Sequence, residues 1–170
     1  MQNSTIRKIT FLASLTALEI VLSRFCSINT WNLKIGFGFL PIAIAAMFFG
    51  ALGGAIVGGL SDFLGAVLIP IGPYFPGFTL TSTLVGLLFG IFLHHSHGMK
   101  RIVPAVLIHQ LLLGFLLNSM WISILYQSPF LPLLATRIVQ CVVMVPVEII
   151  VIGIAGKAIA RYGEAYIHES

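Results

Sequence analysis

Charge is what this sequence has least of. Nine Lys and Arg and five Asp and Glu make up 8% of its 170 residues, where an ordinary soluble domain carries roughly 25%. A fold wetted on every side could not cover itself with so few polar groups. Cysteine is scarce as well. Cys26 and Cys141 show no metal-ligand spacing and are expected as two free thiols, with no metal site. No G-x-x-x-x-G-K-[ST] loop is present to hold ATP, no H-E-x-x-H to hold zinc, and no G-x-S-x-G nucleophile elbow. These absences argue against an enzyme, imply no cofactor, and leave the chain without an energy source of its own.

What is present is apolar. Hydrophobic residues are 58% of the chain and mean hydropathy is +1.06. A bilayer crossing takes about 20 residues as a helix. Six apolar runs can be read: Arg7 to Arg24, Phe37 to Phe49, Gly53 to about Ile69, Phe78 to Leu93, Ile102 to Leu125 and Leu131 to Ala160. The Gly50–Gly54 region reads as a tight turn. Pro70 to Gly77 holds three prolines, which lack amide donors and restrict their neighbours, so it reads as a rigid loop. The first run lacks a small-residue cleavage site, so no secretory signal peptide is expected. The expected architecture is an all-α membrane protein of six transmembrane helices in one domain, residues 1–170.

Basic residues orient it. Arg7 and Lys8 precede the first run, Lys100 and Arg101 follow His94-His95-Ser96-His97 between the fourth and fifth, and Lys157 and Arg161 end the sixth. With an even number of crossings all three groups share one side. The positive-inside rule makes that side, and both termini, cytoplasmic. The net charge of +4 is therefore a matter of topology, and nucleic acid is not an expected partner. The histidines read as a solvated loop.

Three cations break the pattern. Arg24 and Lys34 fall on the outer side, and Arg137 lies roughly 9 Å inside the outer end of the sixth run at 1.5 Å per residue. An anion arriving from outside would explain them; headgroup contact or snorkelling is the alternative. Ionisable residues inside a membrane are expensive and carry a functional expectation. Asp62 continues a face through Gly54, Gly58 and Ala66 at four-residue spacing, so it should point into the bundle. Glu148 reads as structural, and Glu19, mid-run, as a possible partner for Arg137. Phe25, Trp31, Asn32, Tyr74, Phe75, Thr79, Thr83, Asn118, Trp121 and Tyr126 gather toward the same outer end. An interfacial aromatic belt explains any one of them. Together they describe an outward pocket with flat stacking faces, a carboxylate and several cations, suited to a flat heterocycle with donor groups and an anionic tail.

The stretch Arg24-Phe25-Cys26-Ser27-Ile28, then Trp31-Asn32-Leu33-Lys34-Ile35-Gly36-Phe37-Gly38-Phe39-Leu40-Pro41, then Ser61-Asp62, resembles the substrate-specific (S) components of energy-coupling-factor (ECF) transporters, most of all the folate-specific FolT group. Ala13-Ser14-Leu15-Thr16-Ala17 is similar to that family's A-x-x-x-A pattern. The resemblance implies a multi-pass protein of a prokaryotic plasma membrane. It implies capture of a vitamin near the outer face, then association with a membrane coupling subunit and two cytoplasmic ATPases. Ala13 and Ala17 would form the docking face; internal helix packing is their other reading.

Folate suits the residues. Asp62 can accept from the amino edge of a pterin, and Trp31, Tyr74 and Phe75 offer stacking faces. Arg24, Lys34 and Arg137 can hold the glutamate carboxylates. The expected substrate-binding set is Arg24, Trp31, Asn32, Lys34, Asp62, Tyr74, Phe75, Thr79, Thr83, Trp121 and Arg137. Another vitamin, such as biotin or riboflavin, stays open, as does a small membrane enzyme or a structural subunit.

Overall fold

The computed structural model describes residues 2–29 and 34–167. Trp31 and Asn32 therefore lie outside the described residues. Five helices carry the fold: α1 (Gln2–Arg24), α2 (Phe39–Leu68), α3 (Pro76–Leu93), α4 (Met99–Tyr126) and α5 (Phe130–Ile167). Between α1 and α2 runs a two-stranded antiparallel ribbon, β1 (Ser27–Asn29) and β2 (Lys34–Gly36), in register Ser27↔Gly36, Ile28↔Ile35 and Asn29↔Lys34.

The expectation of six transmembrane helices is corrected. Among the described residues there are five helices, and 4 are long and apolar enough to cross a membrane: Phe39–Leu68, Pro76–Leu93, Met99–Tyr126 and Phe130–Arg161. Two physical causes account for the difference. The first run, now α1, carries Arg7, Lys8, Glu19 and Arg24 among scattered Ser and Thr, which dilutes its apolar content. The second and third runs belong to one element, α2, interrupted at Gly50 (φ 70, ψ −161). Only glycine takes that backbone conformation without a steric cost, and Gly53 and Gly54 beyond it are helical. The arm before Gly50 is eleven residues, roughly 16 Å at 1.5 Å per residue, against a hydrocarbon core of about 30 Å. α2 folds back there: a Cβ placed on Gly54 would lie 2.9 Å from Ala46 Cβ, and one on Gly58 3.6 Å from Ile42 Cδ1.

The second arm of α2 packs on α3 almost backbone to backbone. A methyl group on Gly54 or Gly86 would meet the other's backbone, and one on Gly58 would meet Ser82 O. Small residues four apart are how membrane helices approach closely when apolar burial gives no advantage over lipid. The loop expected over Pro70–Gly77 ends two residues early. Pro76 opens α3, where its missing N–H costs nothing. The fully buried core, including Ala43, Val57, Phe89, Ile102, Val106 and Ile152, lies where α2 to α5 converge.

The bundle has two distinct ends. Phe11 packs edge-on against Phe48 and Phe49 (centroids 5.4 and 5.7 Å) beside the Gly50 bend. His94 Nδ1 lies 3.1 Å from Met47 O at the same bend, and His97 packs against Gly156 of α5. The basic clusters Arg7/Lys8, Lys100/Arg101 and Lys157 thus gather at one end. Arg24, Lys34, Asp62 and Arg137 lie at the other.

Candidate functional site

At that second end the helices enclose a cavity of about 390 Å³. Each element brings a different chemistry. The end of α1 supplies Arg24 and β2 supplies Lys34. The second arm of α2 supplies Asp62, and the proline-rich turn supplies Tyr74 and Phe75. α4 supplies Asn118, Ile122 and Tyr126, and α5 supplies Arg137. A larger groove of about 610 Å³ runs along α4, lined by Leu112, Leu116, Met120 and Phe130, with Ser123 its only polar side chain. It faces outward from apolar spanning helices and offers nothing to orient a polar ligand, so the smaller cavity carries the chemistry.

The charges in the cavity are poorly matched from within. Arg137 is 4% exposed, and its Nε and Nη1 are buried without a hydrogen-bond partner; Arg24 Nε is in the same state. A buried ion without a counter-charge is costly, by several kcal/mol in rough terms. Glu19 does not relieve it. That carboxylate lies against the start of α2, with Ser23 Oγ 3.4 Å from Oε2 and Oε1 against Gly38. The pairing of Glu19 with Arg137 entertained from sequence is not made. Asp62 accepts a hydrogen bond from Thr79 Oγ1 at 2.8 Å. Thr79 has one proton to give, so Tyr74 OH, 3.4 Å away, is the donor in their contact. The chain Tyr74–Thr79–Asp62 fixes the carboxylate and leaves further acceptor sites on it.

Of the residues expected from sequence, Arg24, Lys34, Asp62, Tyr74, Phe75 and Arg137 line the cavity. Thr79 stands behind Asp62. Thr83 is a turn further along α3, donating to Thr79 O at 2.8 Å beside Gly59, and does not line the cavity. Trp121 also stands back. Its ring lies 5.6 Å from Phe75 and its Nε1 donates to Thr81 Oγ1 at 3.1 Å, so it supports the Phe75 wall. Gly77 makes room for this stack, since a Cβ there would lie 2.6 Å from both rings. Ile122, Phe78 and Ser82 were missed. Asn118, noted from sequence only as part of an outer cluster, lines the cavity with a buried Oδ1 that has no partner. The spacing Asn118, Ile122, Leu125 was the available signal. Ala13 and Ala17 lie exposed on the face of α1 turned away from the cavity's helices.

A bundle of apolar, membrane-spanning helices with a polar cavity at one end defines a class: a membrane protein that binds a small polar ligand. Residues 3–161 match the family model described as "ECF-type riboflavin transporter, S component". The folate transporter FolT of Clostridium novyi is 40% identical over 152 residues, covering 89% of this chain and 88% of that protein. A crystal structure of FolT bound with folic acid superimposes with a TM-score of 0.84 at 30% identity, covering 88% of this chain and 92% of that one. The S component for biotin from an ECF-type ABC transporter shares the fold, with a TM-score of 0.71 at 20% identity over 96% and 94% of the two chains. The chain belongs to the family of ECF transporter S components, in its FolT group. It is a transport subunit and not an enzyme, and a multi-pass protein of the plasma membrane.

Proposed function

We propose that this protein is the substrate-capture subunit of an ECF-type ABC transporter and that it binds folate in the cavity away from the basic end. One observation carries the choice of substrate: a single cavity holds an anchored carboxylate, Asp62, and a buried arginine without a counter-ion, Arg137. Folate has complementary ends. The amino edge of its pterin donates to Asp62, the rings lie against Tyr74 and Phe75, and the glutamate carboxylates neutralise Arg137, Arg24 and Lys34. Trp31 and Asn32, which lie outside the described residues, remain in the proposed binding set. Thr79 holds Asp62, and Trp121 and Thr83 buttress the wall. Similarity to folate transporters supports the same reading.

Riboflavin, named in the family model, is uncharged and would leave the arginines unneutralised. Biotin has the carboxylate but no aromatic ring to stack. In this reading the chain docks through Ala13 and Ala17 on a membrane coupling subunit served by two ATPases. The positive-inside rule puts the basic end in the cytoplasm and the cavity outside.

Calorimetric titration of the detergent-purified protein with folic acid, a tail-less pterin and riboflavin tests the substrate. Folic acid should bind tightest and riboflavin not measurably. Preferred binding of riboflavin would overturn the assignment.

A further inference from the structure

A second buried polar cluster lies between α4 and α5, away from the cavity. Glu148 is 1% exposed and is met by two consecutive residues of α4. His109 Nδ1 lies 2.8 Å from its Oε2, and Gln110 Nε2 donates to its Oε1 at 2.7 Å. Consecutive residues of an α-helix stand about 100° apart and do not share a face. Both reach one carboxylate within the stretch of α4 that is π-helical, Ile108–Leu117. Bonding from i to i+5 widens each turn; such stretches are rare, and frequently found at functional sites.

The other end of the stretch is the cavity. Its last turn is closed by the backbone N–H of Asn118, which donates to Leu113 O, five residues back. Asn118 is also the residue whose buried, unpartnered Oδ1 lies in the cavity lining. Within the stretch, Cys141 Sγ donates to Gln110 O at 3.6 Å.

Resting on the folate reading above, we propose that Glu148 is a positioning residue for substrate: by binding His109 and Gln110 together, it holds the π-helical stretch that presents Asn118 to the cavity. Without that carboxylate nothing draws the two side chains to one point, and α4 returns to i→i+4 bonding. One residue of register turns a helix by about 100°, enough to take Asn118 off the cavity wall. Glu148 touches no ligand; it acts through Asn118.

A double-mutant cycle on the full chain, read by calorimetric titration with folic acid, tests this. Glu148→Leu should weaken binding about tenfold in the native background, and less than about twofold once Asn118 is already Ala. Glu148→Gln keeps an acceptor for Gln110 and a second hydrogen-bonding atom for His109, so its affinity should stay within about threefold of native. Losses that multiply independently of Asn118, or a Glu148→Leu variant that binds as the native chain does, overturn the proposal. If Glu148→Leu does not yield monodisperse protein, Gln110→Leu takes its place in the cycle with the same two outcomes. A native chain that binds no folic acid overturns the functional reading and this inference with it. Uncoupled losses in a chain that does bind overturn this inference alone.

Discussion

Asp62 and Arg137 answer to the same cavity but to different halves of a ligand, and that separation can be measured. Asp62→Asn replaces an acceptor oxygen with a donor facing the pterin donors. A lost charge-assisted hydrogen bond costs about 1.5–3 kcal/mol, so affinity should fall at least about tenfold for folic acid and for a tail-less pterin alike. Arg137→Ala should weaken folic acid by a similar factor and leave the tail-less pterin unchanged. Titrating both variants with both ligands checks this; equal losses from Arg137→Ala on the two ligands would place the tail elsewhere. Much of the cavity's charge was legible in the sequence, because an ionisable side chain at membrane depth has few reasons to be there. The position of Trp121 was not legible. A tryptophan near the top of a helix reads the same whether it faces a ligand or stands behind Phe75. Nor could the sequence say that Glu19 is held against the start of α2, since its distance from Arg137 depends on how α1 lies against α5.

At the level of single elements, the loop between α3 and α4 carries a pH signature. Burial and the neighbouring His94 hold the His97 imidazole below its ordinary value of 6.5, and its Nε2 has no hydrogen-bond partner. The folded chain therefore resists a proton that the unfolded chain accepts. This contribution to stability is complete above the unfolded value and is lost as pH falls through the lower folded one. Thermal unfolding in detergent should show a decline on acidification from pH 7 to about 5, smaller in His97→Gln. An unchanged slope would mean that other groups cause it. α1 supplies a second test. It packs on α2 and leaves Ala13 and Ala17 exposed. Ala17→Trp should abolish assembly with the coupling subunit in pull-down while folic acid titration is unaffected; loss of binding with assembly intact would reverse the assignment. Four of the five helices were readable as single apolar runs, with ends displaced by up to seven residues, and α2 was read as two runs. The bend was readable as a turn over Gly50–Gly54, but its confinement to Gly50 was not, because a glycine in an apolar run marks a close approach as readily as a break. The π-helical stretch in α4 leaves no trace in hydrophobic periodicity, which is why Asn118 was seen only as one polar residue among several.

For the molecule as a whole, the two ends divide the work. The basic end holds the bend, the histidine loop and the last basic residues of α5, and the other end holds the cavity. No nucleotide motif lies anywhere in the sequence. Vesicles containing only this chain should bind folic acid without accumulating it, whether or not ATP is enclosed. ATP-driven uptake above the external concentration by the chain alone would contradict the division of labour. The membrane class was plain from composition, while the number of crossing helices was not. Length and apolarity count segments; they do not tell which segments join at a bend or which are too polar to cross alone.

The packing of Trp121 against Phe75 also gives the cavity an optical reporter. The protein has only two tryptophans, so Trp31→Phe leaves the indole of Trp121 as its sole long-wavelength emitter. That indole stands one ring away from the cavity, against the Phe75 ring whose other side a pterin would face. Pterins absorb where indole emits, so a ligand seated there should quench the emission by energy transfer. Titrating the Trp31→Phe protein with folic acid should give a saturable fall in fluorescence, with a midpoint matching the calorimetric one. Adding Asp62→Asn should move both midpoints together. Emission that stays constant while heat is released would mean that the ring system lies away from Phe75.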